Sequence, residues 1–380
     1  MLCKFEDIVI NSIAKRKPTD DDMPSYIGLE HLDAGDLRVT RYGSKVPIKG
    51  DKLFMTKGDV LFGRRNTYLR RAAIAPHDGL FSAHGMILRP REEVIAREFL
   101  PLFISSDYFF DTAIRISVGS ISPTVNWGTL KELTFDLPSL DEQQRLASIL
   151  WACIETRNTY KELLAITEQL VKSRFVEMFG DPVTNPMGWE VKPLSDIIIH
   201  ANNGMSRRGN DEYGSIVLRL VELQDGHIDY TKPNRIQLDD AEKVRYFLKD
   251  GDFLFARVNG NPDYVGRCAV FADIGEPVYH NDHIIRVRFN SDLLNGTYAD
   301  ELLNSSYGKR EMKDKIKTSA GQYTINQAGI GAIKIPLPPS KLQNRFADFV
   351  CQADKSKFAL QQTIDELEAT YKSLLRENLG

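Results

Sequence analysis

Four arginines, Arg64, Arg65, Arg70 and Arg71, crowd one short stretch with Asn66 and Tyr68, directly after the apolar run Val60-Leu61-Phe62. Guanidinium and amide groups on a loop leaving a strand are the types that hold phosphates and reach base edges. A solvated charged turn is the plain alternative. A matching loop later in the chain keeps Arg257, Asn259, Asn261 and Tyr264 but loses most of the charge. A second polar surface lies in residues 117–126, with Ser120, Ser122, Thr124 and Asn126. Its counterpart in residues 318–326 carries Gln322, Tyr323, Thr324 and Asn326. Small hydroxyl and amide side chains on loops containing Gly119 and Gly321 suit hydrogen bonding to phosphates; an ordinary capping turn has the same composition. A third candidate is the polar loop 202–210, with Ser206, Arg207 and Arg208, and its counterpart 11–22 holds Lys15, Arg16 and Lys17.

Catalytic patterns are missing from the sequence. Asn261-Pro262-Asp263-Tyr264 approaches the Asn-Pro-Pro-Tyr motif with which amino-methyltransferases grip a flipped base, but Asp263 replaces the second proline and no Gly-x-Gly strand–loop precedes it. His280 and His283 have the spacing of a metal pair without third and fourth ligands, so the expected reading is a hydrogen-bonded histidine at a strand end and no metal. No P-loop, nucleophile elbow or His-Glu-x-x-His occurs. The pattern is that of a binder with no catalytic residues. Cys3, Cys153, Cys268 and Cys351 lie far apart, which predicts reduced thiols and a cytoplasmic protein. No run of eighteen apolar residues predicts a membrane span, and the N-terminus lacks the order of a secretory signal. A net charge of −3 argues against indiscriminate nucleic-acid binding while allowing a local basic face.

These loops must be held by something, and the sequence supplies it twice. Residues 139–179 contain no proline or glycine and open with Ser139-Leu140-Asp141-Glu142, a Ser-x-x-Glu capping box. Gly180 suits a C′ cap, and Asp181-Pro182 forbids continuation. Leu146, Leu150, Cys153, Tyr160, Leu164, Val171 and Met178 follow a spacing near 3.5 residues. A second copy opens at Leu337-Pro338-Pro339-Ser340, with Ser340 and Gln343 as another predicted box, and Phe346, Val350, Ala353, Leu360, Ile364, Leu367, Tyr371 and Leu374 in its seam. Gln143, Arg145 and Ala147 recur as Gln343, Arg345 and Ala347.

Internal similarity extends across the chain. Leu29, Leu32, Gly35 and Leu37 recur as Leu220, Leu223, Gly226 and Ile228; Gly58-Asp59 recurs as Gly251-Asp252, and Thr124-Val125-Asn126 as Thr324-Ile325-Asn326. Inside each copy, short apolar runs broken by turns predict strands at residues 72–75, 86–88, 268–271 and 284–287. Helices are expected over 98–105, 298–304 and 307–317. The class is α+β: two similar domains alternating with two long helices. A helix of about 40 residues spans roughly 60 Å, too long to hide its apolar stripe under one small domain. The two copies are therefore expected to pair as an antiparallel coiled coil, giving a pseudo-two-fold molecule; independent packing of each helix on its own domain is the alternative.

With these features in place, the chain resembles over its whole length the specificity (S) subunit of Type I restriction–modification systems. The resemblance rests on Leu137-Pro138-Ser139-Leu140-Asp141-Glu142-Gln143-Gln144-Arg145 and its echo from Leu337 to Arg345. It rests also on Ser173-Arg174-Phe175-Val176-Glu177-Met178-Phe179-Gly180-Asp181-Pro182 and on Gly188-Trp189-Glu190-Val191. The second helix start, Ser340-Lys341-Leu342-Gln343, departs from the acidic form of the first. The resemblance implies target-recognition domains at 1–138 and, with a linker, at 181–338, and long helices at 139–180 and 339–380. It implies a non-catalytic reader of a bipartite double-stranded DNA target that joins two methyltransferase (M) subunits and restriction (R) subunits. S-adenosylmethionine, ATP and Mg2+ would belong to those partners and none to this chain. A recognition subunit of a combined modification–restriction enzyme, and an adenine methyltransferase acting through Asn261 to Tyr264, are the competing readings.

Overall fold

The computed structural model describes residues 1–319 and 321–379. The chain divides into two compact units, Met1–Glu162 with Leu360–Gly380, and Leu163–Ala359. Each unit is built on the same plan.

In the first unit a four-stranded antiparallel sheet runs in the order Val9–Ser12, Met86–Pro90, Val60–Phe62, Ala72–Ile74. The second unit repeats it as Ile198–Asn203, Ile284–Phe289, Phe253–Ala256, Cys268–Val270. The recurring Gly-Asp dipeptide explains how the central strand starts. Gly58 and Gly251 take φ of 88° and 81°, a left-handed conformation open to glycine without strain. The next residue then turns back: an Asp59 carboxylate oxygen accepts from the Thr56 N–H at 2.7 Å, and Asp252 from the Lys249 N–H at 2.8 Å. Each buried carboxylate is neutralised from the neighbouring strand, Asp59 by both arms of Arg89 at 2.7 and 2.9 Å, Asp252 by Arg288 at 2.6 and 2.7 Å. Bidentate pairing satisfies the charge that burial would otherwise penalise.

A smaller sheet lies beside each large one. In the first unit Lys52–Met55 joins Lys15–Arg16 to Gly79–Phe81. In the second unit Ser215–Leu218 pairs antiparallel with Arg235–Ile236 and parallel with Val278–His280. Helices Leu100–Ser105 and Asp107–Arg115 cover the first large sheet, and Gly296–Asn304 and Ser306–Lys313 the second. The helix at 107–115 has no counterpart in the sequence reading, and the one expected over 307–317 stops at Lys313, yielding to a strand at Lys317–Ser319.

Both domains close on themselves. Leu2–Lys4 pairs antiparallel with Thr134–Asp136, and Glu190–Pro193 with Lys334–Leu337. The strand that enters a domain therefore lies against the strand that leaves it for the long helix.

The long helices run from Leu140 to Phe179 and from Ser340 to Leu379. In the first unit Leu146, Leu150 and Ile154, early in the first helix, share a core with Tyr371, Leu374, Leu375 and Leu379, late in the second. In the second unit the order is reversed: Val171, Phe175 and Phe179 pack with Phe346 and Ala353, the Phe346 ring lying 5.5 Å from both Phe175 and Phe179. The helices thus pair antiparallel, and independent packing of each helix on its own domain is ruled out. Ala147, Ile154, Phe175 and Phe179 of the first helix are buried outside the predicted seam, because that helix also covers domain surface in each unit and needs a second apolar stripe.

The helix starts correct one expectation. Half of the first capping box forms: Ser139 accepts from the Glu142 N–H at 3.4 Å, while the Glu142 carboxylate pairs with Arg145 at 3.3 Å. The predicted box at Ser340 and Gln343 does not form. Pro339 occupies the cap position, its carbonyl accepting from the Leu342 and Gln343 N–H groups at 2.8 and 3.2 Å, and the Gln343 side chain points into the domain. Gln143 and Gln343 are fully buried and do the same work. Each side-chain oxygen accepts a 2.8 Å hydrogen bond from a loop N–H, of Ala96 or of Asn295. Each amide donates to two carbonyls, Val94 and Pro138 in one copy, Leu293 and Pro338 in the other. The first helix ends at Gly180 with φ 78°, and the Trp189 indole N–H donates to the Phe179 carbonyl at 2.9 Å, so the linker caps the helix it follows.

Candidate nucleic-acid interface

The Val60–Phe62 strand hands the chain to the arginine loop. The Arg64 carbonyl accepts from the Val125 N–H at 2.9 Å, Arg65 bridges to Thr124, and the Asn66 N–H donates to the Pro123 carbonyl at 2.7 Å. The first two candidate surfaces are therefore one surface. Side chains reinforce it, Arg65 reaching the Ser122 hydroxyl at 3.3 Å. The second unit builds the same junction. The Arg257 carbonyl accepts from the Ile325 N–H at 2.9 Å, and Val258–Asn259 pairs with Tyr323 and Thr324 in a small sheet with Lys317–Ser319. Arg64 and Arg257, and Thr124 and Thr324, are structural equivalents.

The loop after Arg65 is strained. Asn66 and Arg70 adopt left-handed φ of 54° and 48° at the two ends of the Thr67–Leu69 turn. Buried Thr67 pins the turn by donating to the Arg64 carbonyl at 2.8 Å. The Asn66 side-chain oxygen and the Arg257 Nε are buried with no partner among the described residues.

The structure does not bring every candidate together. Arg70 turns away from Arg64 and Arg65; it pairs with Asp107 at 2.7 Å and Asp111 at 2.5 Å and lies over the Phe110 ring, tying the loop to the 107–115 helix. Arg71 is half-buried in a bridge to Ala34, whereas Tyr68, Ser120 and Asn126 are exposed. In the second unit Arg207 is held by Glu242 at 2.6 Å, beside exposed Ser206. The Asn259 and Asn261 oxygens accept from the Asn261 and Asp263 N–H groups at 2.9 and 3.0 Å, and the Tyr264 ring lies 3.9 Å under Arg267. Asn261 to Tyr264 is thus a capped turn, its Asn and Tyr engaged in local contacts. Exposed Asn326 caps a short helix through the Gly329 N–H at 2.8 Å, and Gln322 projects from the hairpin into solvent.

Arg208 joins the second-unit site from the third candidate loop. It pairs with Asp282 at 2.7 Å and lies 3.2 Å from His283 Nε2; the Arg257 N–H donates to the His283 carbonyl at 2.7 Å. In the first unit His84 Nε2 lies 3.5 Å from the Arg65 guanidinium. Burial, then Arg65, Arg64 and Lys52, hold the His84 imidazole below its usual pKa. Burial does the same for His283, opposed by Asp282 and aided by Arg208 and Arg257. His84 went unnoticed in the sequence, and His283 drew attention only as half of a metal pair. Its supposed partner His280 is a hydrogen-bonded strand residue, its Nδ1 3.1 Å from the Tyr246 carbonyl and its pKa pushed down to about 4 by burial. Among the described residues no three His, Cys, Asp or Glu side chains gather to hold a metal.

Comparison with known proteins places this architecture. The family model described as the Type I restriction modification DNA specificity domain matches residues 13–168 and 186–369. The StySPI specificity subunit of Salmonella potsdam is 28% identical over 308 residues, 77% of this chain and 64% of that protein. The EcoKI specificity subunit of Escherichia coli strain K12 is 27% identical over 310 residues, with the same coverage. The chain therefore matches just under two thirds of the length of these relatives. Among solved structures, the S subunit of the Type I restriction–modification system from M. genitalium superimposes with a TM-score of 0.63 at 13% identity, covering 100% of this chain and 96% of that one. A chain from a study of assembly and conformational transition in the type I R-M system gives 0.59 at 20% identity, covering 100% and 97%. Matched by the specificity-domain model in both of its halves, the chain belongs to the Type I restriction modification DNA specificity family.

Proposed function

We propose that the protein is the non-catalytic, sequence-reading subunit of a Type I restriction–modification complex, recognising a bipartite double-stranded DNA target with one domain per half-site. The observation that carries this reading is the duplicated junction: an arginine at the end of the same strand, paired to the same threonine-bearing loop, occurs once in each unit. Two readers of one design, differing in the side chains around that arginine, suit two different half-sites. Two methyltransferase subunits and the restriction subunits would supply catalysis and carry S-adenosylmethionine, ATP and Mg2+, and the complex would act in the cytoplasm. No described helix is long and apolar enough to cross a membrane.

The test is an exchange of residues 1–138 for the corresponding domain of another specificity subunit, with the hybrid assembled on its methyltransferase partner. Methylome sequencing is expected to report one altered half-site and one retained. A change in both, or methylation without sequence preference, overturns the reading. The competing reading of a methyltransferase in its own right requires label transfer when the chain alone meets DNA and labelled S-adenosylmethionine.

A further inference from the structure

The strand registers align two histidines that the chain's sequence similarity did not mark. Met86 pairs with Phe62 and Ile285 with Phe255, so two residues before each lies the same step of the fold, occupied by His84 and by His283. Both are accessible, His84 exposed and His283 half-buried. Each has its Nε2 facing an arginine from a different loop, Arg65 at 3.5 Å and Arg208 at 3.2 Å. A guanidinium can only donate, so Nε2 is the acceptor and the proton sits on Nδ1 in both copies. The surroundings differ in sequence and agree in kind. Lys52, Arg64 and Arg65 are the charged groups around His84; Arg208, Arg257 and Asp282 are those around His283.

Neutral imidazoles gathered among cations on a surface form a poor resting arrangement and a good receptor for an anion. On the proposed DNA-reading function, we propose that His84 and His283 are matching phosphate-contacting residues, each seating a DNA backbone phosphate between its imidazole and the neighbouring arginine. The bound phosphate offsets the repulsion between guanidinium and imidazolium, so the histidine gains a proton as DNA arrives. The sign follows. Burial first, and flanking arginines second, hold the free pKa below the ordinary value near 6.5 in both copies, Asp282 opposing them at His283, and an adjacent phosphate raises it. Affinity therefore increases as pH falls through the interval between the two values.

The experiment uses the full chain assembled with its methyltransferase partner and a cognate duplex, with affinity measured at about pH 6 and about pH 8 and across a salt series. Wild type is expected to bind roughly threefold tighter or more on the acid side for each histidine engaged. His84→Gln and His283→Gln each remove part of that pH dependence and flatten the salt slope by up to about one unit, without changing the preferred bases. His84→Lys, which installs a permanent cation, restores tight binding on the alkaline side and removes the first domain's pH response. Thermal melting of each variant confirms that it is folded. Unchanged pH and salt profiles in the Gln variants overturn the inference, as does a loss confined to one base position. If the wild-type complex shows no sequence preference, the proposed function itself fails; if it does and the variants match it, only the histidine assignment fails.

Discussion

Arg64 and Arg257 are set by the backbone: each leaves the central strand of its sheet at the step where its carbonyl is claimed by the opposite loop. Their neighbours then diverge. Arg65 stands where the second copy has Val258, which is buried in a strand pair. If Arg64 meets a base edge, Arg64→Ala should cost about 1–3 kcal/mol at one base position and leave the others intact. Binding of the variant to a panel of single-base-substituted duplexes is the measurement. A uniform loss with a shallower salt slope would make it a phosphate contact. Much of this was legible in the sequence, because the second copy repeats the Arg-x-Asn spacing and strand alternation carries the register. The diversion of Arg70 was not, since it depends on Asp107 and Asp111 of a helix that the local pattern did not announce. Nor were the two histidines, which sit at turns where no periodicity speaks and only a strand register brings them into correspondence.

At the scale of elements, the long helices are held by packing and by two buried glutamines. Gln143 ties the helix start to the 94–96 loop and to Pro138, and Gln343 repeats the arrangement. Gln143→Ala leaves one N–H and two carbonyls in a dry site, and each unmet group costs about 1–3 kcal/mol. We expect a stability loss of about 3 kcal/mol or more by chemical denaturation, with Gln343→Ala behaving alike. An exposed change such as Gln144→Ala should stay within about 0.5 kcal/mol. The helix lengths and the 3.5-residue seam were readable from spacing alone. The second stripe was not, because Ala147, Ile154, Phe175 and Phe179 acquire their meaning only from the domains they cover. The glutamine in the second start was misassigned for a similar reason: a short polar motif carries no direction until the loop it reaches is known.

For the molecule as a whole, a net charge of −3 fits the proposed function if the cations that meet DNA are local and the proposed partners add contacts of their own. Both long helices continue without a break past the point where the compact units divide, and each unit contributes a half of the antiparallel pair. On the proposed function, the pair acts as a spacer between half-sites. Inserting one heptad into both helices should add about 10 Å of rod at 1.5 Å per residue and lengthen the recognised gap, leaving both half-sites as they were. Methylome sequencing reads the gap directly, and an unchanged gap would remove the spacer from the account.

The pairing of first and last strands within each domain has a further consequence. Because Leu2–Lys4 lies against Thr134–Asp136, and Glu190–Pro193 against Lys334–Leu337, the polypeptide comes in and goes out through one doorway. What lies beyond that doorway can be traded as a unit, provided the ladder hydrogen bonds, the glutamine latch and the apolar face shared with the long helices are re-made. On the proposed function, an exchange at those two borders would give a new vocabulary for half a target in a single step, while the grammar that joins the halves stays untouched.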